Sequence, residues 1–123
     1  MGEERVYSVE DANALLPELR EMLPRIRRSR QELLAAAERL GTLVAADGGG
    51  HDGRGYWSAL SALRRDLLRL AEAGVVLRDP ETGLVDFPAE REGRPVFLCW
   101  RLGEERVAHW HEPDAGFGGR RPL

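Results

Sequence analysis

One run of apolar residues at helical spacing constrains this chain more than any other feature. Leu16, Leu19, Leu23, Ile26, Arg30, Leu33, Ala37, Leu40 and Val44 follow one another in steps of three and four. That period lays a single stripe along a helix, and over four repeats it is a coiled-coil heptad. Arg30 stands at a seam position, where a charge costs stability and fixes register. Upstream, Ser8-Val9-Glu10-Asp11 reads as a capping box. The Ser8 hydroxyl accepts from the Asp11 amide, and the two carboxylates complement the positive end of the helix. Pro17 is expected to open a new helical segment after a short first turn, and Pro24 to kink the rod.

Five glycines between Asp47 and Gly55 end the rod in a loop. A second stripe, Tyr56, Leu60, Leu63, Leu67 and Leu70, gives a helix over 56–73 with Gly74 as its C-terminal cap. Helices joined this closely lie antiparallel. At about 1.5 Å per residue the first stretch is roughly 55 Å long and the second roughly 27 Å, so the hairpin covers only the far half of the rod. Leu15, Leu16, Leu19, Leu23 and Ile26 need another cover, from the rest of the chain or from a second copy. A homodimer with a four-helix core is the favoured expectation.

After Gly74 the period changes from helix to strand. Val75–Arg78 and Leu84–Phe87 flank an Asp79-Pro80-Glu81-Thr82-Gly83 turn, and Glu90–Arg94 forms a second turn. Pro95–Leu102 is the most apolar strand, Gly103-Glu104 fits a Gly-first hairpin turn, and Arg106–His111 is the last strand. Glu112–Leu123 is a glycine-rich, irregular arm. The order predicts an α+β fold: a long N-terminal antiparallel helical hairpin over 1–74, then a small antiparallel sheet and arm over 75–123, all in one domain.

Composition excludes several chemistries. All 18 basic residues are Arg, so there is no lysine for a Schiff base or a P-loop. The four serines lie outside any G-x-S-x-G setting, which argues against a serine hydrolase. Basic residues are outnumbered by 21 acidic ones, which argues against nucleic acid as a partner. Charges interrupt the first 46 residues, leaving no secretory or membrane-spanning segment, and a single cysteine, Cys99, allows no internal disulfide. The expected location is cytoplasmic.

Several short motifs occur in a fixed order: Gly83-Leu84-Val85-Asp86-Phe87-Pro88, Leu98-Cys99-Trp100-Arg101-Leu102-Gly103-Glu104, Trp110-His111, and Gly116-Phe117-Gly118-Gly119-Arg120-Arg121-Pro122. Together they resemble the bacterial family catalogued as domain of unknown function 2203. Glu10-Asp11-Ala12-Asn13-Ala14-Leu15-Leu16-Pro17 is similar to that family's opening segment. The likeness runs from Tyr7 to Pro122. It implies a small cytoplasmic bacterial protein whose signature lies in its C-terminal half, and it brings no activity. His51, in the glycine loop, inherits nothing from it.

The chemistry-bearing residues are in that half. His109 and His111 alternate along one strand, so both face the same way. Such a pair holds zinc or iron when one or two further ligands join it. Cys99, Asp86 and Glu112 are the candidates. A three-residue loop in the last hairpin sets Cys99 opposite His109, whereas a two-residue loop puts Leu98 there and turns Cys99 away. Asp86 is unusual inside a strand and needs a partner, which a structural ion pair with Arg101 or Arg94 would supply. Trp100 and Trp110 suit the core or a pocket wall. Gly118 and Gly119 let backbone amides approach a ligand, while Arg120 and Arg121 suit a carboxylate or phosphate; the alternative is an arm docked on the sheet or on a dimer mate. Arg25, Arg27, Arg28 and Arg30 read as a solvated face, paired as Glu21–Arg25 and Arg28–Glu32.

Two functions follow. The first is a dimeric ligand-binding or interaction protein. Its pocket for a small anionic ligand is built from Asp86, Trp100, Trp110, His111 and Arg120. The second is a small zinc- or iron-dependent enzyme, hydrolytic in type, with His109, His111 and Cys99 or Asp86 as ligands.

Overall fold

The computed structural model describes residues 5–46 and 53–123, with side chains described outside 40, 42–46 and 53–54. Most of the predicted glycine loop, with His51, lies outside the described residues. Helix α1 spans Val9–Ala46 and α2 spans Gly53–Ala73, so α2 starts three residues before the expected Tyr56. Among the described residues no helix is long and apolar enough to cross a membrane.

The Asp11 amide donates to Ser8 Oγ at 2.9 Å, which caps α1 as the sequence indicated. Pro17 and Pro24 both lie inside this one continuous helix, so Pro17 opens no new segment. Each removes one backbone donor, a local cost set against the apolar stripe that packs on either side of it. That stripe starts as expected, with Leu16, Leu19, Leu23 and Ile26 buried. Beyond Ile26 the buried positions become Ser29 and Ala36, while Arg30 is only half-buried and Ala37 is exposed. A straight helix turns once per 3.6 residues, so a heptad stripe rotates off the contact face within a few turns. Arg30 is therefore not a seam residue; it donates to Glu81 at 2.9 Å.

Helix α2 shows a similar offset. Ala59, Asp66, Leu70 and Ala73 are buried, and the expected seam residue Leu67 is exposed. Two bidentate ion pairs lock the hairpin: Arg25 with Asp66 at 2.8 and 3.0 Å, and Arg69 with Glu18 at 2.6 and 2.8 Å. They run in opposite order along the two helices, as antiparallel packing requires. Three of the four cluster residues reach other elements: Arg25 to Asp66 on α2, and Arg27 and Arg30 to Glu81. Gly74 ends α2 with φ +74; its amide donates to Ala71 O and the Val75 amide to Leu70 O, a Schellman cap.

Five strands follow: β1 Val76–Asp79, β2 Leu84–Arg91, β3 Arg94–Arg101, β4 His109–His111 and β5 Arg121–Pro122. They form one antiparallel sheet in sequence order. The Asp79–Gly83 turn forms as predicted, closed by Gly83 N donating to Asp79 O at 2.9 Å. The next turn is tighter than expected, with only Glu92 and Gly93 between the strands, both at positive φ. The last hairpin departs most from expectation. No two-residue turn forms at Gly103-Glu104, and Arg106–Ala108 are not strand. The backbone of this connection bonds to α1 instead: Val107 N donates to Asn13 Oδ1, and Arg20 Nη2 donates to Glu105 O. The arm is less irregular than expected, since Arg121–Pro122 pair with β4.

One sheet face packs on α1 and α2. Val85, Phe87, Ala89, Val96, Leu98, Trp100 and Trp110 join Leu16, Leu19, Leu23, Ile26, Leu70 and Ala73 in a single core. The leucines that called for a second copy are covered here by the chain's own sheet. The structural reason for a four-helix dimer at these positions therefore falls away.

Candidate functional site

The other sheet face carries the chemistry. In the register observed, Asp86 on β2 lies opposite Cys99 on β3, and Cys99 lies opposite His109 on β4. Opposed residues share a face and the face alternates along a strand, so His111 belongs with them. This resolves the open register: Cys99 points the same way as His109 and His111.

Three of these side chains meet. Asp86, Cys99 and His111 are 2%, 1% and 1% exposed, and one ligand atom from each lies within 4.8 Å of the others. Three adjacent strands supply one residue each. His111 Nε2 is 3.0 Å from Asp86 Oδ2, and its Nδ1 is 2.7 Å from the carbonyl of Glu112. Both ring nitrogens therefore face acceptors, yet a neutral imidazole donates from one nitrogen only. The two contacts are both satisfied only when a further proton or a cation lies between Nε2 and Oδ2. Arg78 Nε donates to Asp86 Oδ2 at 2.8 Å, while Asp86 Oδ1 is buried and finds no donor. Burial, and then the negative charge of Asp86, push the Cys99 thiol up to about 12.

The remaining predicted site residues go elsewhere. His109 does not join the cluster: its Nδ1 faces Arg120 Nη2 at 2.6 Å. Arginine only donates, so Nδ1 is the acceptor in this contact. Arg120 is held by Glu104 at 2.8 Å, which docks the arm on its own chain. Burial raises the Glu104 carboxyl, but hydrogen bonds from Arg120 and from the Arg101 amide outweigh it, and the group sits below its usual range. The Glu112 carboxylate turns to Arg94 at 3.7 Å; only its carbonyl serves the cluster. The Arg121 guanidinium stands 5.1 Å from the centre of the Trp110 ring. Trp100 and Trp110 project to the core side, so they cannot wall a pocket with Asp86 and His111: the sheet stands between them. Surface clefts of about 460 and 610 Å3 open beside the 80–83 turn and beside the β2–β3 hairpin, and neither is lined by Asp86, Cys99 or His111.

Asp86 pairs with Arg78, not with Arg94 or Arg101. Arg78 was legible in principle: the 79–83 turn returns the chain so that β1 lies beside Asp86. A register shift between Leu77 and Asp79 then sets the guanidinium on the carboxylate. Asn13 left a fainter trace, as the only Asn in the chain.

The sequence profile of the family described as Uncharacterized conserved protein (DUF2203) matches residues 5–123. The chain belongs to this family. No curated protein and no solved structure matches it. The match takes in both helices, all five strands and the whole Asp86–Cys99–His111 cluster.

Proposed function

We propose that the protein binds one divalent ion of the zinc class through Asp86 Oδ1, Cys99 Sγ and His111 Nε2. The observation that carries this is the buried trio, with its unpartnered carboxylate oxygen and a ring nitrogen turned toward an acceptor. An ion holding N, O and S ligands at about 2.0–2.3 Å separates them by about 3–4 Å, inside the 4.8 Å limit within which these three ligand atoms lie. Thiolate with imidazole favours zinc over magnesium or calcium. The surroundings are those of a supported site. His111 gives its other N–H to a backbone carbonyl, and Arg78 holds the second carboxylate oxygen, as outer partners of metal ligands commonly do. The ion would tie β2, β3 and β4 on the face the helices do not cover. Burial of all three ligands favours a binding role over hydrolysis, which needs an open coordination position facing substrate.

The test is metal content of untagged protein from zinc-supplemented cells, with cobalt replacement to read the thiolate-to-metal charge-transfer band. About one ion per chain is expected. Cys99→Ser and Asp86→Asn should abolish the band, while His109→Gln keeps it. Less than about 0.1 ion per chain, or loss of binding in His109→Gln alone, overturns the assignment.

A further inference from the structure

A second unpaired group lies on the same face and does not depend on the metal. Arg120 Nε is buried and finds no acceptor, and the Arg120 side chain is only 10% exposed. Its Nη2 is engaged by Glu104 Oε2 at 2.8 Å and by His109 Nδ1 at 2.6 Å. Its guanidinium stands 4.6 Å from the centre of the Phe117 ring, and that of Arg101 stands 5.0 Å from the same centre. Two guanidinium groups thus gather around one aromatic ring. The carboxylate bonded here is Glu104: its Oε2 takes the Arg120 guanidinium, while its Oε1 takes the backbone amide of Arg101 and leaves the Arg101 guanidinium to the ring.

A buried N–H of a charged guanidinium is costly to leave without an acceptor. We infer that Arg120 Nε, with Arg101, forms a binding site for an oxyanion, a phosphate or carboxylate group that competes with Glu104 for the Arg120 guanidinium. Planar guanidinium forks suit both classes. Phe117 is the cover. The residue is 40% exposed and stands outside the core cluster, and a Cβ at neither flanking glycine, Gly116 nor Gly118, would meet an atom within 4 Å. Swinging it outward uncovers Arg120 without disturbing the core.

The experiment follows the Arg120 Nε–H resonance of the full chain by NMR, in a buffer free of other oxyanions, during titration with inorganic phosphate and, separately, with acetate. A saturable shift is expected with at least one. Phosphate alone assigns a phosphoryl ligand; both together assign the wider oxyanion class. Glu104→Gln keeps an acceptor for the Arg101 amide and removes the competing charge, so it should tighten binding roughly fivefold. Arg120→Lys, followed by calorimetry with circular dichroism to confirm folding, should lose binding. Asp86→Asn in EDTA should leave the anion response intact, which separates this site from the metal centre. No shift up to high millimolar anion, or unchanged affinity in Glu104→Gln, overturns the inference.

Discussion

Asp86→Asn removes one charge and moves almost no atoms. The amide oxygen can keep the Oδ2 position and still accept from Arg78 and His111, and the NH2 then occupies the Oδ1 position, where no donor stands. What disappears is the charge assistance in two hydrogen bonds. Bonds to charged groups contribute about 1.5–3 kcal/mol net and neutral ones about 0.5–1.5, so each bond loses about 1 kcal/mol. The Arg78 side chain is 42% exposed, and water screens its share, whereas the His111 bond is fully buried. The expected cost of Asn is therefore about 1.5 kcal/mol from the lost charge assistance, and the buried NH2 left without an acceptor adds about 1 kcal/mol. Asp86→Ala also strips the acceptors from His111 and Arg78, and breaking a buried pair costs about 3–5 kcal/mol. A chain of this length holds about 6–18 kcal/mol in total, so both variants fold and the difference is measurable. Urea unfolding in EDTA, at fixed protein concentration, reads it. Adding zinc at about a hundredfold over its dissociation constant should raise wild-type stability by about 2.7 kcal/mol and the Asn variant far less. An Ala variant within about 1 kcal/mol of wild type would refute the reasoning. So would Asn and Ala variants of equal cost, because the charge would then do nothing.

Three further outcomes are expected. With its thiol held up to about 12, native Cys99 should resist a thiol-specific reagent at pH 8 and react fully in urea; native labelling at the rate of a free thiol would contradict its burial. Gly83 has φ +73, and a Cβ there would lie 2.7 Å from Leu102 Cβ. Gly83→Ala should therefore lower stability by about 2 kcal/mol in thermal unfolding, and a neutral result would mean the turn relaxes freely. Asn13→Ala leaves the Val107 amide without its acceptor and should cost about 1–3 kcal/mol, with faster hydrogen exchange at Val107; unchanged exchange would show that the 102–108 connection does not depend on α1.

The N-terminal cap, the hairpin's two helices, the Gly74 stop and the 79–83 turn were all legible from residue order. Each is decided by groups within a few residues of one another: Ser8 with the Asp11 amide, Gly74 with the end of α2, Asp79 with Gly83. Pro17 misled because propensity is local, while the packing that keeps α1 continuous through it is not. The candidate residues were also visible: Asp86 as an unusual occupant of a strand, His111 by its alternation with His109, and Cys99 as the single cysteine. What no local rule supplied was their register and their partners. Cys99 could be placed on the His111 face only once the seven residues between β3 and β4 were seen to bond to α1 and to β3, which fixes the offset of the strands. The same offset sends Trp100 and Trp110 to the opposite face and hands His109 to Arg120. A β-strand alternates with period two, so a shift of one residue exchanges everything between core and surface. Sequence therefore determined which elements form and which residues carry chemistry. The tertiary structure alone decided which of them share a face, because that depends on hydrogen bonds between segments far apart in the chain.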